Sequence, residues 1–479
     1  MPIVTRRQFV QQALAASALC TAPIFRAQEQ HAAVPDAAAI RKLASSITGH
    51  VITPDSSDYE SARQVENDAY DRHPAAVVRC VTPSDVARIL DFGQSRGLPL
   101  AVRSGGHSAA GYGACDGGIV IDLSEMRRVE VDRDKRVAHV QAGALVRDVD
   151  EATQRFGLAT TLGACPTVGI GGLTLGGGLG ALTPKYGTAC DNLLSAHVVK
   201  VDSRQVEASQ ESNPDLFWAI RGGGGNFGVV TAFEYRLHPV SQVLAGTLVY
   251  SSGQIAELLR AYVKLATTVP DEMSLVALIF PSERGPTFLI LVCHCGQASV
   301  GNDLLRPLRD PIKPVADTVK VMPYTDAQAS GFAAKRNAYF VTNLFVPEVN
   351  DAAIAAITTA TRDRIPKFRI LISRLHGAVS RIPLADAAFA LREPGYDVEL
   401  SSYWSAPEEK ASAVQWARTL RANLEPFSHG LYINGLSDTG GELVRSGYGP
   451  NYARLLELKK KYDPSNVLRL NPNIDPALA

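Results

Sequence analysis

Arg103-Ser-Gly-Gly-His-Ser-Ala-Ala-Gly-Tyr-Gly113 and Gly163-Ala-Cys-Pro-Thr-Val-Gly-Ile-Gly-Gly172 are the two stretches whose reading decides the fold. Each sets one nucleophilic side chain, His107 or Cys165, in a glycine-rich turn where backbone amides can crowd against a ligand. Most such turns only let the chain bend, and a lone histidine or cysteine is usually packed or solvated. Two of them in one chain point to a large anionic cofactor.

Upstream of His107, Ala75–Val81 reads as a strand. Thr82-Pro83 with Asp85 then caps a helix whose apolar face carries Val86, Ile89 and Leu90 and which ends at Gly97. Leu98–Arg103 is the next strand, so a β-α-β unit delivers His107 at its end. Ile119–Leu123 and Val137–Gln141 continue the strands, and Leu145, Val149, Ala152 and Phe156 line a helix closed by Gly157.

Beyond Cys165, the run Gly169–Gly180 is too rich in glycine for a stable regular element and is expected to lie against a ligand. Asn192–Val201 alternates as a strand, and Asn213-Pro214-Asp215 starts a helix carrying Phe217 and Trp218. Gly223-x-Gly225-x-x-Gly228 is formally a dinucleotide fingerprint. A helix precedes it and the strand Val229–Leu237 follows, the reverse of the order that fingerprint requires, so a Rossmann fold is rejected.

From about 241 the pattern changes to longer strands, Val243–Tyr250, Met273–Phe280 and Thr287–Cys293, mixed with amphipathic helices near 255–267 and 350–362. This predicts an antiparallel sheet with helices on one face, and the chain as a whole is α+β. Tyr448–Tyr462 reads as one helix, and Asp463–Asn473 ends the fold.

The 479 residues exceed one core and suggest two or three lobes. With 48 basic against 48 acidic residues there is no electrostatic case for nucleic acid, and the partner is expected to be a small molecule. Thr5-Arg-Arg-Gln-Phe-Val10 resembles a twin-arginine signal, followed by an Ala/Leu stretch too short to remain as a membrane span. Residues 1–27 are therefore expected to be removed on export to the periplasm or beyond, and residues 28–60 to form an irregular arm. Cys293-His-Cys295 lies in an apolar run, so strand alternation is preferred to a metal pair and no metal is assigned. No spacing among the seven cysteines demands a disulfide. The absence of a Gly-x-Ser-x-Gly elbow and of a convincing carboxylate pair argues against hydrolysis.

The two opening stretches resemble the flavin-attachment segments of the berberine bridge enzyme-like family, FAD-linked oxidases of the p-cresol methylhydroxylase/vanillyl-alcohol oxidase superfamily. The resemblance runs from about residue 60 to the end. It implies a two-lobed FAD-binding domain at 61–240, a substrate domain at 241–430 and a segment at 431–479 that returns to the first domain. It also implies bicovalent FAD, with His107 on the 8α carbon of the isoalloxazine and Cys165 on C6. The cofactor is expected to lie against Arg103, Ser104, Gly105, Gly106, Ser108, Gly111, Pro166, Thr167, Val168, Gly169, Gly171, Gly172, Gly176, Asp191, Asn226, Gly228, Val229, Asn434, Asn471 and Asn473.

Tyr432-Ile-Asn434 matches the family's Tyr-x-Asn segment and makes Tyr432 the expected base. A free tyrosine, with a pKa of about 10, is a poor base at neutral pH. Tyr186, in Lys185-Tyr186-Gly187, is the expected helper. Tyr339, Arg392 and Tyr403 are expected at the substrate, although Leu391 stands where relatives have a histidine before the arginine. In the family the position three after the cysteine, here Val168, controls access of O₂. The implied activity is removal of a hydride from an alcohol carbon, of a carbohydrate or a natural product, with O₂ reduced to H₂O₂. A dehydrogenase passing electrons to a quinone and a flavin-retaining binding protein without turnover are the alternatives.

Overall fold

Within the first lobe, two small sheets stand behind the His107 and Cys165 turns. The computed structural model describes residues 35, 37–251, 253–283, 285–329, 336–362 and 367–478. The expected signal therefore lies outside the described residues.

The first sheet contains β1 (His50–Ile52), β2 (Ala76–Arg79), β3 (Leu100–Arg103) and β4 (Ile119–Asp122), in the order β1-β2-β4-β3. β4 lies parallel to both β2 and β3, and β1 runs antiparallel to β2. The crossover helix Pro83–Gln94 starts as expected. Thr82 Oγ1 accepts from the Asp85 amide at 3.2 Å, and the Asp85 carboxylate accepts from the Thr82 amide at 3.1 Å.

Residues 37–60 are not an irregular arm. Ala37–Ala44 is helical, β1 adds an edge to the sheet, and the Thr48 amide donates to Asp85 at 2.7 Å. Ile40, Leu43 and Ile52 are buried, so apolar contacts that polar composition conceals hold this segment.

The second sheet contains β5 (Val129–Asp132), β6 (Val137–Gln141), β8 (Leu193–Val199), β9 (Gln205–Ser209) and β10 (Val229–Arg236), while β7 (Leu158–Ala159) pairs separately with β11 (His238–Pro239). β10 is antiparallel to both β6 and β8, so the strand after Gly228 belongs to no Rossmann unit. The helix Val146–Gln154 is present, but Phe156 lies beyond its end and is 45% exposed rather than on the apolar face.

The glycine run also departs from expectation, because Ile170–Leu175 is helical. Ile170, Thr174 and Leu175 are buried, and tertiary packing of this kind overrides weak intrinsic propensity. In the tail, Gly441–Tyr448 and Tyr452–Tyr462 are separate helices rather than one. Pro450, in the short turn between them, cannot continue a helix.

The second lobe is one antiparallel sheet of β12 (Gln242–Tyr250), β13 (Met273–Ser282), β14 (Gly285–His294), β15 (Ala316–Asp317), β16 (Lys320–Pro323), β17 (Ala338–Val346), β18 (Phe368–Leu375) and β19 (Gly395–Trp404). Its order is β15-β12-β14-β13-β18-β19-β17, with β16 also on β12. Strand alternation sorts the side chains. Leu275, Ile290, Leu344, Ile372, Tyr396, Val398 and Leu400 point to one face, and the helices Ile255–Ala266, Asp351–Ala360 and Lys410–Leu424 cover it with Leu258, Tyr262, Ile357 and Trp416. The opposite face carries Ser373, Asp397, Glu399, Ser401 and Tyr403. Cys293 sits on this sheet as a strand residue, and the six cysteines among the described residues are unpaired. No helix among the described residues is long and apolar enough to cross a membrane.

Candidate active site

The His107 turn is braced before it begins. Arg103, the last residue of β3, forms a buried ion pair with Asp122 of β4 at 2.7 Å, and Ser104 Oγ donates to the Ala142 carbonyl at 2.6 Å. The two glycine stretches then meet backbone to backbone. A Cβ on Gly105 would stand 2.2 Å from the Gly169 nitrogen, and one on Gly169 would stand 2.1 Å from the Gly105 nitrogen. Only glycine fits at either place. Gly106, at φ +73°, then turns the chain so that His107 follows.

This contact brings the two nucleophiles to one hydroxyl. Thr167 Oγ1 lies 3.1 Å from His107 Nε2 and 3.3 Å from Cys165 Sγ. Burial holds the imidazole pKa below its ordinary value, so the ring is neutral at physiological pH. With Nε2 engaged, Nδ1 is the ring nitrogen without a described partner.

Both side chains line a cavity of 670 Å³, within the usual range for cofactor sites. Of the residues expected at the cofactor, Arg103, Ser104, Gly105, Gly106, Ser108, Val168, Gly169, Gly171, Gly172, Gly228, Val229, Asn434 and Asn471 line it too. A Cβ on Gly172 would meet nothing within 4 Å, so its backbone is open to a ligand. The donor-rich glycine backbone, the space and the two nucleophiles fit a flavin dinucleotide.

Seven expected residues do not line this cavity. Pro166 and Thr167 are absent from its lining. Gly111, at φ +68°, serves a turn packed on Tyr70, and Gly176 abuts Asn434, where a Cβ would be 2.0 Å from Oδ1. Asn226 ties the glycine loop to the tail, donating to the carbonyls of Gly223 at 2.9 Å and Pro472 at 3.2 Å. Asn473 is absent from the lining as well. Asp191 is locked in a two-pronged ion pair with Arg392, at 2.7 and 2.8 Å. That pair draws Arg392 away from the substrate role too, since the two side chains are only 6% and 3% exposed and Arg392 lines neither this cavity nor the one beside it.

Tyr432 lines the cavity. Its backbone is held by the buried Asn343 of β17, which donates to the Tyr432 carbonyl at 2.7 Å and accepts from the Tyr432 amide at 2.7 Å. Its hydroxyl accepts from the Gly178 amide at 3.1 Å and from Asn434 Nδ2 at 2.9 Å. Those donors favour the phenolate, but burial outweighs them and pushes the phenol well above its ordinary value. The expected helper is elsewhere. Tyr186 stacks on His238, ring centroids 3.9 Å apart, beneath the Lys185 ammonium, and it lines neither this cavity nor a second one beside it. The support for Tyr432 is thus a pair of N–H groups rather than a second tyrosine.

The far end of the cavity lies on the polar face of the second-lobe sheet. Tyr339 and Tyr403 are there, ring centroids 5.9 Å apart. Three charged residues not singled out from sequence join them. Arg369 pairs with Glu399 at 2.7 Å, and Glu66 accepts from the Tyr339 hydroxyl at 2.7 Å, with burial raising its pKa. The available signal was the alternation in Tyr396-Asp-Val-Glu-Leu-Ser401, which gives a strand one polar and one apolar face. Glu66 has no such signal, because a loop carries it there.

Compared with known proteins, residues 74–209 match the FAD binding domain family and residues 431–475 the berberine and berberine like family. The chain is 32% identical over 456 residues to (R)-6-hydroxynicotine oxidase of Paenarthrobacter nicotinovorans, covering 91% of this chain and 99% of that one. The solved structure of 6-hydroxy-D-nicotine oxidase from Arthrobacter nicotinovorans matches with a TM-score of 0.82 at 30% identity, over 90% of this chain and 98% of that one. Glucooligosaccharide oxidase from Acremonium strictum, a structure described with 6-S-cysteinyl, 8α-N1-histidyl FAD, shares the fold at a TM-score of 0.83 and 24% identity, over 91% of this chain and 99% of that one. A site of this form, in a chain so closely matched along its length, places the protein in the berberine bridge enzyme-like family of FAD-linked oxidoreductases.

Proposed function

We propose that the protein is an oxidase that removes a hydride from an alcohol carbon of a carbohydrate or natural product, with O₂ as acceptor and H₂O₂ as product, and that its FAD is bonded to His107 and Cys165. The observation that carries this reading is the convergence of both nucleophiles on Thr167 at the wall of the cavity that Tyr432 also lines. Since Thr167 engages Nε2, Nδ1 is the atom left to form the histidyl bond, as in the 8α-N1-histidyl relative.

Bound FAD supplies a hydride acceptor, and the protein supplies orientation and a base. Tyr432 Oη is the atom assigned to take the substrate's hydroxyl proton. Its two N–H partners stabilise the negative charge that forms there. Asn343 fixes the loop that presents it, and Arg369, Glu399, Tyr339 and Tyr403 hold the rest of the substrate. The half-buried Val168 stands on the cavity wall, and its modest bulk supports the choice of O₂ over a quinone.

Anaerobic mixing with sugars and aromatic alcohols, followed by admission of air, tests this reading. The expected result is bleaching of the flavin and then rapid recovery with one H₂O₂ per product. Flavin that no alcohol bleaches would remove the oxidase reading. Residues 1–27 support export through the twin-arginine route, which carries proteins already folded around their cofactor. Retention of an Arg6→Lys/Arg7→Lys variant in the cytoplasm, with export of the wild type, is the expected result.

A further inference from the structure

Asp397 is a buried carboxyl without a partner. It lies in β19 between Tyr396 and Val398, which face the helix-covered core, so alternation turns it to the polar side of the sheet. There it lines a second cavity, of 220 Å³. Ser373 and Phe345 stand opposite it on the neighbouring strands, and Phe345 belongs to an apolar cluster with Leu375, Phe389 and Leu391.

Asp397 is 6% exposed, and no described donor reaches its carboxyl. By contrast, buried Asp122 is paired with Arg103, Asp191 with Arg392, and Asp150 accepts from Gln328 at 3.2 Å. Buried polar groups without partners are rare in folded proteins and call for an explanation such as a ligand. Burial, with Glu399 two residues along, pushes the Asp397 pKa up to about 8, and a cation seated on it would reverse that shift.

The second cavity adjoins the first, sharing Ala164, Leu179, Leu371, Glu399 and Tyr432 with it. Its other walls are largely apolar, among them Val276, Leu291 and Pro184. Of the charged groups nearby, Glu399 is neutralised by Arg369. Arg374 also borders this cavity, but its register with Tyr396 sets its side chain on the Tyr396 side of the sheet, with the guanidinium over that ring. Asp397 is therefore a carboxyl of this cavity with no cation at hand to balance its ionised form. A hydroxyl of a ligand would offer one ordinary hydrogen bond and leave the carboxyl in its neutral form. A protonated amine brings both the opposite charge and up to three donors.

We infer that the second cavity takes a protonated amine of the substrate, seated on Asp397, while the alcohol carbon to be oxidised lies at Tyr432 in the first. The substrate is then an amino alcohol with a short apolar spacer between the two groups. This inference rests on the oxidase reading for the position of the reacting carbon.

The test is calorimetric titration of the anaerobic holoenzyme with ω-amino alcohols and 4-(aminomethyl)benzyl alcohol, each against the diol of the same skeleton, with the flavin spectrum recorded in parallel. At least one amine is expected to bind about 10- to 100-fold more tightly than its diol, as a charged hydrogen bond provides. Asp397→Asn keeps the shape and should abolish that preference, with diol binding unchanged, while Asp397→Glu should retain part of it. The inference is overturned if no amine in the wild type outbinds its diol, a result that needs no variant to fold. It is also overturned if Asp397→Asn, verified by its flavin spectrum and melting temperature, keeps the preference. Failure of the oxidase reading has a separate signature, flavin that stays oxidised with every alcohol while the calorimetric preference is still measured.

Discussion

The Thr167 hydroxyl lies 3.1 Å from His107 Nε2, and Cys165 Sγ shares the same oxygen at 3.3 Å. His107→Ala and Cys165→Ala should each keep flavin through acid precipitation, held by the other bond, and the double variant should release it. Thr167→Val removes the partner that orients the imidazole. Peptide mass spectrometry should then find the cysteinyl bond complete and the histidyl bond incomplete. Flavin released from the wild type on precipitation would refute bicovalent attachment.

Tyr432→Phe keeps the ring and deletes only the hydroxyl, so stopped-flow reduction should slow by about 10²- to 10⁴-fold. Because burial holds this phenol above its ordinary value, the ionised form is scarce at neutral pH. The wild-type reductive rate should accordingly rise with pH into the alkaline range, and the variant's should not. Tyr186→Phe, which leaves the stack on His238 in place, should reduce at the wild-type rate. Normal reduction in Tyr432→Phe would assign the base elsewhere.

Val168 is half-buried on the cavity wall, with its amide and carbonyl tied to Cys165 and Val146. Val168→Leu adds a methylene without moving that backbone. Reoxidation in air should slow by about tenfold, a barrier change of about 1.4 kcal/mol, with reduction unaffected. Wild-type flavin that recovers with a quinone but not with air would favour the dehydrogenase.

Arg392 and Asp191 are paired out of water, far from the role at the substrate that the sequence suggested. Arg392→Ala leaves an uncompensated buried carboxylate and should cost about 3 kcal/mol or more in chemical denaturation. Substrate affinity of the folded fraction should be unchanged. A raised KM with normal stability would return Arg392 to the substrate.

Asp150 is buried, accepts from Gln328 at 3.2 Å, and has its pKa pushed up to about 7. Its neutral form is favoured in the fold, so its contribution to stability is complete below the unfolded pKa near 4 and is lost as pH rises through about 7. Asp150→Asn keeps an acceptor for Gln328 and removes that loss. The variant should match the wild type near pH 4 and exceed it at pH 8 by on the order of 1 kcal/mol, read from melting curves. Asp397, raised in the same direction to about 8, leaves a residual slope in the variant.

Much of the local architecture was legible because its causes are local. The Thr82 and Asp85 capping box spans three residues, and the strands around it declare themselves by apolar runs. The helix before Gly223 and the strand after Gly228 sufficed to reject a Rossmann unit. The segment Ile170–Leu175 was misread because propensity counts glycines but not the buried side chains between them.

By itself the sequence determined the α+β class, the β-α-β unit that carries His107, and the residue types able to hold a flavin. Only the tertiary structure decided which of them meet. Gly105 and Gly169 touch because their turns stack, and Arg392 finds Asp191 across 201 positions. Glu66 and Tyr339 come together across 273. Strand and helix periodicity states which way a side chain faces along its own element. What it faces depends on which elements the chain later lays against that side, and for Tyr186, Arg392 and Asp397 that was settled by packing alone.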